Sequence, residues 1–273
     1  MAIITLTTDI GQQDYLVGAI KGQLLSQNAN FNIVDITHYL SNTNYNQAAY
    51  ICSNAFRHYP ENTFHVVLLN LFDSQRNHFL VARYNNQYII CPDNGILTMI
   101  AGAIPKEIAF VSLEEKHTLL SRTAVFAEVI NYIDKQGKFE VDQSHQGVIE
   151  EKYPFKAAFG SDWIEGQILF IDHFENVVVN ITKEEFEEAR RGRTYQIVIN
   201  RNEIIDTISD NYASIIEGNV LAWFNSAGYL EIAINKGNMA GLFGLQGYNE
   251  SMNETLTSSY NKIFYQTVKI FFK

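Results

Sequence analysis

The sequence predicts an α/β amino-terminal domain with a mostly parallel sheet, followed by a smaller antiparallel all-β barrel domain. Three observations support this. The first half alternates short β-branched runs with runs in which apolar residues recur at helical spacing. From about residue 160 the pattern becomes strand-rich, with turn signals at intervals. Finally, 273 residues, of which 47% are apolar, suffice for two hydrophobic cores.

The elements of the first domain follow from local patterns. Strands that alternate with crossover helices imply a parallel sheet covered on both faces. Pro60 stops the second helix, Asn85-Asn86 marks a hairpin turn, and Gly137 closes the last helix. The predicted elements are strands at 2–8, 30–37 and 63–72, helices at 15–28, 44–60 and 121–137, and a hairpin at 78–97 that ends in a turn at 92–95.

For the second domain, the sequence predicts three strand-rich runs, at 165–181, 194–204 and 219–237, and one helix at Lys183–Arg191. The seam lies at Glu150–Ser161, which is polar and contains Pro154. We therefore expect an α/β domain over residues 1–155 and a β-barrel domain over residues 160–273.

Composition excludes several classes of function. The net charge of −10 argues against nucleic-acid binding, because no basic stripe is present to neutralise phosphates. Cys52 and Cys91 are expected to be buried free thiols in a reducing compartment. There is no basic leader and no membrane-length apolar run, so we expect a soluble cytoplasmic protein without a membrane partner. Nucleotide-cradle and metal-ligand motifs are absent, so we expect neither metal nor cofactor.

Polar residues in apolar surroundings remain to be explained. The stretch "TTDIGQQDY" at 7–15 places Asp9 and Asp14 at the carboxyl end of a predicted strand, where α/β proteins bind ligands. Similar residues occur in "LFIDHFENVVVN" and "WFNSAGYLEIAINKGNMA". Turns explain each cluster alone, but three such clusters in one chain favour a site for a polar small molecule.

These clusters occur in the order in which they stand in a known family. The chain resembles the adenosine-forming S-adenosylmethionine (SAM) hydrolases, also called SAM hydroxide adenosyltransferases, which are similar to adenosyl fluorinases and chlorinases. The resemblance rests on "TLTTDIGQQDYLVGAIKG", "VDITH", "QAAY", "CPDNGIL", "LFIDHFENVVVNI" and "NSAGYLEIAINKGNMAGLFGL". It implies an α/β domain and a β-barrel, a homotrimer with sites between neighbouring subunits, and SAM or adenosine as the ligand.

The resemblance also implies residue roles. Asp9 would accept hydrogen bonds from both ribose hydroxyls, and Asp14 would contribute there or only support the helix start. In the second domain, Asp172 would pair with the methionine ammonium and Ser226 with its carboxylate. Asn176 would read the adenine. The remaining candidate substrate-binding residues are Phe174 and Phe224, which stack on adenine or belong to the barrel core, together with Asn225 and the segment that includes Asn238 and Ala240.

The water-activating residues depart from the family pattern. Typical hydrolases place an Asp, an Arg and a His around the attacking water, the first two in "DPGVGS-x-R" and the third in "HGRD-[IV]-F-A-P". Here the first stretch reads "LLNLFDSQR", so Arg76 is kept and the Asp position falls on Leu69 or Asn70. Ser121 occupies the His position, and Glu175 replaces the Gly of "DxFGN".

An isolated Arg76 would repel a sulfonium by about 1–4 kcal/mol at close range. Asp73 could neutralise it, or could simply be a turn residue, and His117 could supply an imidazole or be a surface residue. We therefore expect a SAM hydrolase with Arg76, Asn70, Asp73 and Ser121 as candidate catalytic residues. The alternatives are a non-catalytic SAM- or adenosine-binding homologue and, less favoured by the loop sequence, a halogenase.

Overall fold

The computed structural model describes residues 2–73, 76–137, 148–200, 203–245 and 266–273. The chain divides into two compact units, Met1–Pro154 and Phe155–Lys273. Each unit has its own sheet and its own hydrophobic core. No helix in the described ranges has the length and apolar character needed to cross a membrane.

The first unit is an α/β domain, as predicted. Its elements, in chain order, are β1 (Ile3–Thr8), α1 (Leu16–Gln27), β2 (Asn32–Thr37), α2 (Tyr45–Phe56), β3 (Phe64–Leu68), β4 (His78–Tyr84), β5 (Gln87–Pro92), α3 (Ile96–Ala101), β6 (Glu107–Ser112) and α4 (Leu119–Gln136).

The sheet of the first unit has the order β2-β1-β3-β5-β4-β6. The first four strands are parallel, whereas β4 runs antiparallel to both β5 and β6. The predicted hairpin produces this mixture: Asn85 and Asn86 adopt φ values of 50° and 61°, the left-handed conformation of a tight hairpin turn. The carboxyl ends of β1, β2, β3 and β5 therefore share one edge with the start of β4.

Helices cover both faces of this sheet, as the alternating pattern predicted. One apolar cluster packs α1 and α4 against the sheet, and another packs α2 and α3. Cys52 and Cys91 lie in the second cluster, and both are buried free thiols, as predicted. Burial raises the pKa of Cys52 to about 12, so this thiol stays protonated and serves as core.

The second unit is nearly a closed antiparallel barrel. Its elements are β7 (Ala158–Phe159), β8 (Trp163–Ile171), β9 (Val177–Thr182), α5 (Lys183–Arg190), β10 (Tyr195–Asn200), β11 (Glu203–Ile205), a 3-10 turn (Tyr212–Ser214), β12 (Val220–Phe224), β13 (Tyr229–Ile234), α6 (Met239–Leu242) and β14 (Thr267–Phe272).

The main path of its sheet is β11-β10-β14-β8-β9-β13-β12, with β7 added to β8. The two end strands come together because the segment after β11 reaches β12: the Ser209 N–H donates to the Ala222 carbonyl at 2.8 Å. This closure removes most of the exposed strand edge. The barrel prediction is thus confirmed.

Candidate active site

Asp9 directly follows β1 and ties two strand ends together. Its N–H donates to the Leu68 carbonyl at 3.1 Å, and its Oδ2 accepts the Asn70 N–H at 2.8 Å. Burial raises the pKa of Asp9 above its ordinary 3.8, and the Asn70 hydrogen bond only partly opposes that effect. A desolvated carboxylate at the carboxyl edge of a parallel sheet is a candidate ligand-binding group.

Asp14 has a structural contact that accounts for it. It is exposed, and its Oδ1 accepts the Leu16 N–H at 2.8 Å, where α1 begins. This is the helix-start role that the sequence left open for Asp14.

Asn70 lies at the end of β3 with a φ of 50°. Its Nδ2 donates to the Asn42 carbonyl and to the Tyr45 hydroxyl. Leu69 is completely buried in the core, so of the two candidates for the family Asp position only Asn70 presents a polar group. Asp73 is exposed, and its N–H closes a turn onto the Asn70 carbonyl at 3.0 Å.

Arg76 is paired with a carboxylate to which the sequence analysis assigned no role. Its Nη1 lies 2.6 Å from Oδ2 of Asp93, and its Nη2 lies 3.8 Å from Oε2 of Glu150. The Asp93 side chain is fully buried, and its Oδ1 accepts the Glu150 N–H at 2.7 Å. His78 Nε2 lies 2.8 Å from the same Asp93 Oδ2. Arg76 is therefore not an isolated charge, and Asp93 offsets it.

These contacts form one edge cluster, defined as Asp9, Asn70, Arg76 and Asp93. Asn94 follows Asp93 in the chain, and Asn94 Nδ2 donates to the carbonyl of Leu69, which precedes Asn70, at 2.8 Å. This hydrogen bond links the Arg76–Asp93 pair to the Asp9–Asn70 pair. Asp93 lies in the segment "CPDNGIL" and was not among the residues predicted for the site. The signal for it was an acid placed directly after a buried strand.

Ser121 belongs to the start of α4. Its hydroxyl accepts the Thr118 N–H at 3.0 Å, and its own N–H donates to Oγ1 of Thr118 at 3.1 Å, which together form a capping box. His117, next to Thr118 in sequence, is exposed. Local helix capping thus accounts for the Ser121 side chain.

Ser121→Ala is expected to lower the free energy of unfolding by about 1 kcal/mol, because one half of the capping box is lost. Thr118→Ala is the matched control and removes the other half. Chemical denaturation measures both losses, and SAM turnover separates the roles. A turnover loss in Ser121→Ala that Thr118→Ala does not share would show that Ser121 acts in catalysis.

In the second unit, Asp172 organises the tight turn between β8 and β9. Its Oδ1 accepts the N–H groups of Phe174 and Asn176 at 2.9 and 2.8 Å, and its Oδ2 accepts Nδ2 of Asn176 at 3.0 Å. Glu175 has a φ of 62° in this turn, a conformation that favours glycine. This explains why a Gly suits that position in the family pattern.

Asn176 is almost completely buried, and its Nδ2 also donates to Oε1 of Glu231 at 3.1 Å and lies against the Tyr212 hydroxyl. The Tyr212 hydroxyl donates to Glu231 Oε1 at 2.6 Å, and Asn225 Nδ2 donates to Glu231 Oε2 at 3.0 Å. We call Asp172, Asn176, Tyr212, Asn225 and Glu231 the amide cluster. Sequence reasoning missed Glu231 and Tyr212, although Glu231 is the one acid in the apolar run "YLEIAI".

The hairpin between β12 and β13 carries Asn225 and Ser226. Asn225 Oδ1 accepts the N–H groups of Ala227 and Tyr229 at 3.0 and 3.2 Å, so this side chain shapes the turn. Ser226 is exposed at its tip.

The segment 238–240 contacts the Asp172 turn. The Ala240 N–H donates to the Glu175 carbonyl at 2.9 Å. Asn238 caps α6 through its Oδ1, which accepts the Gly241 N–H. The structure thus brings this predicted adenine-contacting segment next to Asn176.

The two candidate stacking residues differ in burial. Phe174 is 71% exposed at the tip of the Asp172 turn, whereas Phe224 packs against the barrel core with its ring centroid 5.5 Å from that of Phe186. The Phe174 ring is free of the core and open to a ligand, whereas the Phe224 ring is already packed, so Phe174 is the better stacking candidate.

Phe174→Ala is expected to weaken adenosine binding by about 1–3 kcal/mol, the usual contribution of a stacked base, with little change in stability. Phe224→Ala is its counterpart and should lower the free energy of unfolding by about 2 kcal/mol or more, because a cavity forms against the core. Calorimetric titration and thermal unfolding of both variants measure these effects. Full adenosine affinity in Phe174→Ala would exclude the stacking role.

No group of three or more His, Cys, Asp or Glu side chains within the described ranges is arranged to hold a metal ion. The candidate polar groups instead form the edge cluster in the first unit and the amide cluster in the second unit.

Comparisons with known proteins agree with this organisation. The chain is 25% identical over 256 residues to the (R)-S-adenosyl-L-methionine hydrolase of Methanocaldococcus jannaschii, a match covering 91% of this chain and 94% of that protein. The protein of the same name from Salinispora tropica is 21% identical over 251 residues, with 89% and 94% covered.

Solved structures share the fold. A conserved protein from Thermotoga maritima superposes with a TM-score of 0.77 at 22% identity, covering 98% of this chain and 99% of that one. One from Thermus thermophilus has a TM-score of 0.67 at 18% identity, with both chains fully covered. Residues 4–141 match the SAM hydroxide adenosyltransferase N-terminal domain and residues 166–251 match the C-terminal domain. The chain therefore belongs to the SAM hydroxide adenosyltransferase family.

Proposed function

We propose that this protein hydrolyses SAM to adenosine and methionine. The observation that carries the proposal is the family match in both units, which spans most of the chain. The two relatives are named (R)-S-adenosyl-L-methionine hydrolases. The (R) epimer at the sulfonium therefore belongs among the substrates to be tested.

The reaction is a displacement at the ribose C5′ carbon. The C5′–S bond breaks and its electron pair neutralises the sulfonium, which leaves as the thioether of methionine. Water forms the new C5′–O bond and loses one proton. Because the substrate supplies both its leaving group and its positive charge, the protein mainly aligns water and ribose, and such positioning can lower a barrier by about 7–11 kcal/mol.

In the edge cluster, Asp9 binds the ribose hydroxyls and Arg76 orients the attacking water. The pairing of Arg76 with Asp93 supports this assignment, because a neutralised guanidinium repels a sulfonium less than an isolated one. Among the described side chains, Asp93, Glu150 and His78 are the groups near Arg76 that can accept a proton.

In the amide cluster, Asn176 reads the adenine and Asp172 binds the methionine ammonium. Asp172 accepts three internal hydrogen bonds, and a carboxylate has about four acceptor sites, so one site remains for an ammonium. Ser226, at the exposed hairpin tip, binds the methionine carboxylate. We propose that Asn225, Asn238 and Ala240 shape the surrounding wall.

The test is incubation of the purified protein with SAM, in buffers with and without chloride, while chromatography follows adenosine and methionine. Adenosine in both buffers supports the hydrolase, and a chloride-dependent product would indicate a halogenase. Intact SAM together with calorimetric SAM binding would indicate the non-catalytic homologue, for which the departures at Leu69 and Ser121 provide a reason.

We also propose that the protein works as a cytoplasmic homotrimer, as the family resemblance implies. Two buried free thiols fit a reducing compartment. Sedimentation equilibrium measures the mass of the assembly, and a monomeric mass would reject the trimer.

A further inference from the structure

We propose that Glu231 is a positioning residue that sets base selectivity. It holds the Asn176 amide with the nitrogen turned toward the amide cluster, which leaves the amide oxygen to accept from a 6-amino purine. This inference rests on the proposed function in one respect, namely that Asn176 meets the base. It adds a positioning residue, and a physical origin for the preference for adenine, that the family match does not supply.

The contacts of Glu231 are those of a buried carboxylate whose two oxygens both accept hydrogen bonds. The residue is 5% exposed. Oε1 accepts from the Tyr212 hydroxyl at 2.6 Å and from Asn176 Nδ2 at 3.1 Å, and Oε2 accepts from Asn225 Nδ2 at 3.0 Å. A buried carboxylate in an apolar strand is costly unless such donors compensate it.

The orientation of the Asn176 amide follows from the chemistry of its partners. A carboxylate accepts hydrogen bonds but cannot donate them, so Glu231 and Asp172 both require the amide nitrogen to face them. Tyr212 does not relax this requirement. Burial, followed by its hydrogen bond to Glu231, raises the pKa of Tyr212 far above its ordinary value, so the hydroxyl keeps its proton and donates to Glu231.

Asn225 prevents the cluster from rearranging as a whole. Its Oδ1 accepts two backbone N–H groups of the hairpin, those of Ala227 and Tyr229, so its Nδ2 must point at Glu231. Both oxygens of residue 231 therefore face donors. In Glu231→Gln, the new NH₂ group would face a donor on Asn176 or on Asn225. That amide would then have to turn its oxygen toward residue 231 and would lose hydrogen bonds to its other partners.

This arrangement discriminates between purines. The 6-amino group of adenine donates to the Asn176 oxygen, whereas the 6-oxo group of hypoxanthine presents a second acceptor to it. Reversing the amide to suit hypoxanthine would break its contacts with both Asp172 and Glu231. We therefore infer that the site binds adenosine in preference to inosine.

The experiment compares adenosine and inosine by calorimetric titration of the full chain. The wild type should prefer adenosine, and Glu231→Gln should reduce the ratio of the two affinities by about five- to tenfold, the effect of one hydrogen bond. Glu217→Gln is the matched control, because Glu217 is exposed and pairs only with Lys236 among the described side chains. It should keep the wild-type ratio.

Thermal unfolding of each variant shows whether it is folded. If Glu231→Gln does not fold, Glu231→Asp replaces it and should also lower the ratio, because the shorter carboxylate no longer reaches the Asn176 amide. Equal affinities for both nucleosides in the wild type, or a wild-type ratio in the folded variant, would overturn the inference. If the protein does not turn over SAM but still prefers adenosine to inosine, the hydrolase proposal is rejected and the inference about Glu231 stands.

Discussion

Asp9→Ala is expected to weaken SAM binding by about 1.5–3 kcal/mol, because it removes a carboxylate that accepts from both ribose hydroxyls. Isothermal titration measures the change. Asp14→Ala is the matched control: Asp14 is exposed and bound to the start of α1, so its loss should affect helix stability more than affinity. Equal losses of affinity in both variants would mean that the ribose is not held by Asp9 in particular.

The raised pKa of Asp9 gives this prediction a pH dependence. Ligand binding by the ionised form should weaken as the pH falls through the raised pKa, and Asp9→Ala should lose that dependence. The effect on stability has the opposite direction. The folded chain binds this proton more tightly than the unfolded chain does, so the contribution of Asp9 to stability declines as the pH rises above its ordinary pKa. Ionised Asp9 therefore costs stability, which fits a group that serves ligand binding rather than folding.

Arg76→Ala should lower the turnover number about 100-fold, the usual loss when a preorganised donor to the reacting atoms is removed. Stability should also fall, by about 1–3 kcal/mol, because the buried Asp93 loses one of its partners while His78 and the Glu150 N–H remain. Steady-state kinetics and chemical denaturation measure the two effects separately.

The double variant Arg76→Ala/Asp93→Asn distinguishes the two roles of Arg76. Removing both charges should restore most of the stability, because no uncompensated carboxylate remains, but turnover should stay low. Recovery of turnover in the double variant would mean that Arg76 only neutralises Asp93.

Much of the fold was predictable because local signals agreed with the global arrangement. The Asn85-Asn86 turn fixed the hairpin, and Gly137 ended α4 in a left-handed cap with a φ of 60°. Strand β14 was not predicted, since "TVKIFF" gives only six alternating residues after a long polar stretch. It is nevertheless central to the barrel, where it pairs with both β8 and β10.

The candidate site was predictable in part, for a different physical reason. Asp9, Asp172 and Asn176 could be proposed because polar residues at strand ends are conspicuous among apolar neighbours. The pairing of Arg76 with Asp93 could not be predicted, because the two residues are 17 positions apart in the sequence. The same holds for Asn176 and Glu231, which are 55 positions apart. Only the strand order brings such partners together.

The central claim is that water attacks the ribose C5′ carbon of SAM in this protein. Its most direct test is turnover of SAM in water enriched in the heavy oxygen isotope, with mass spectrometry of the products. The account predicts adenosine carrying one heavy oxygen at its 5′ position and methionine carrying none. Adenosine without the label, or heavy oxygen found in methionine alone, would contradict it.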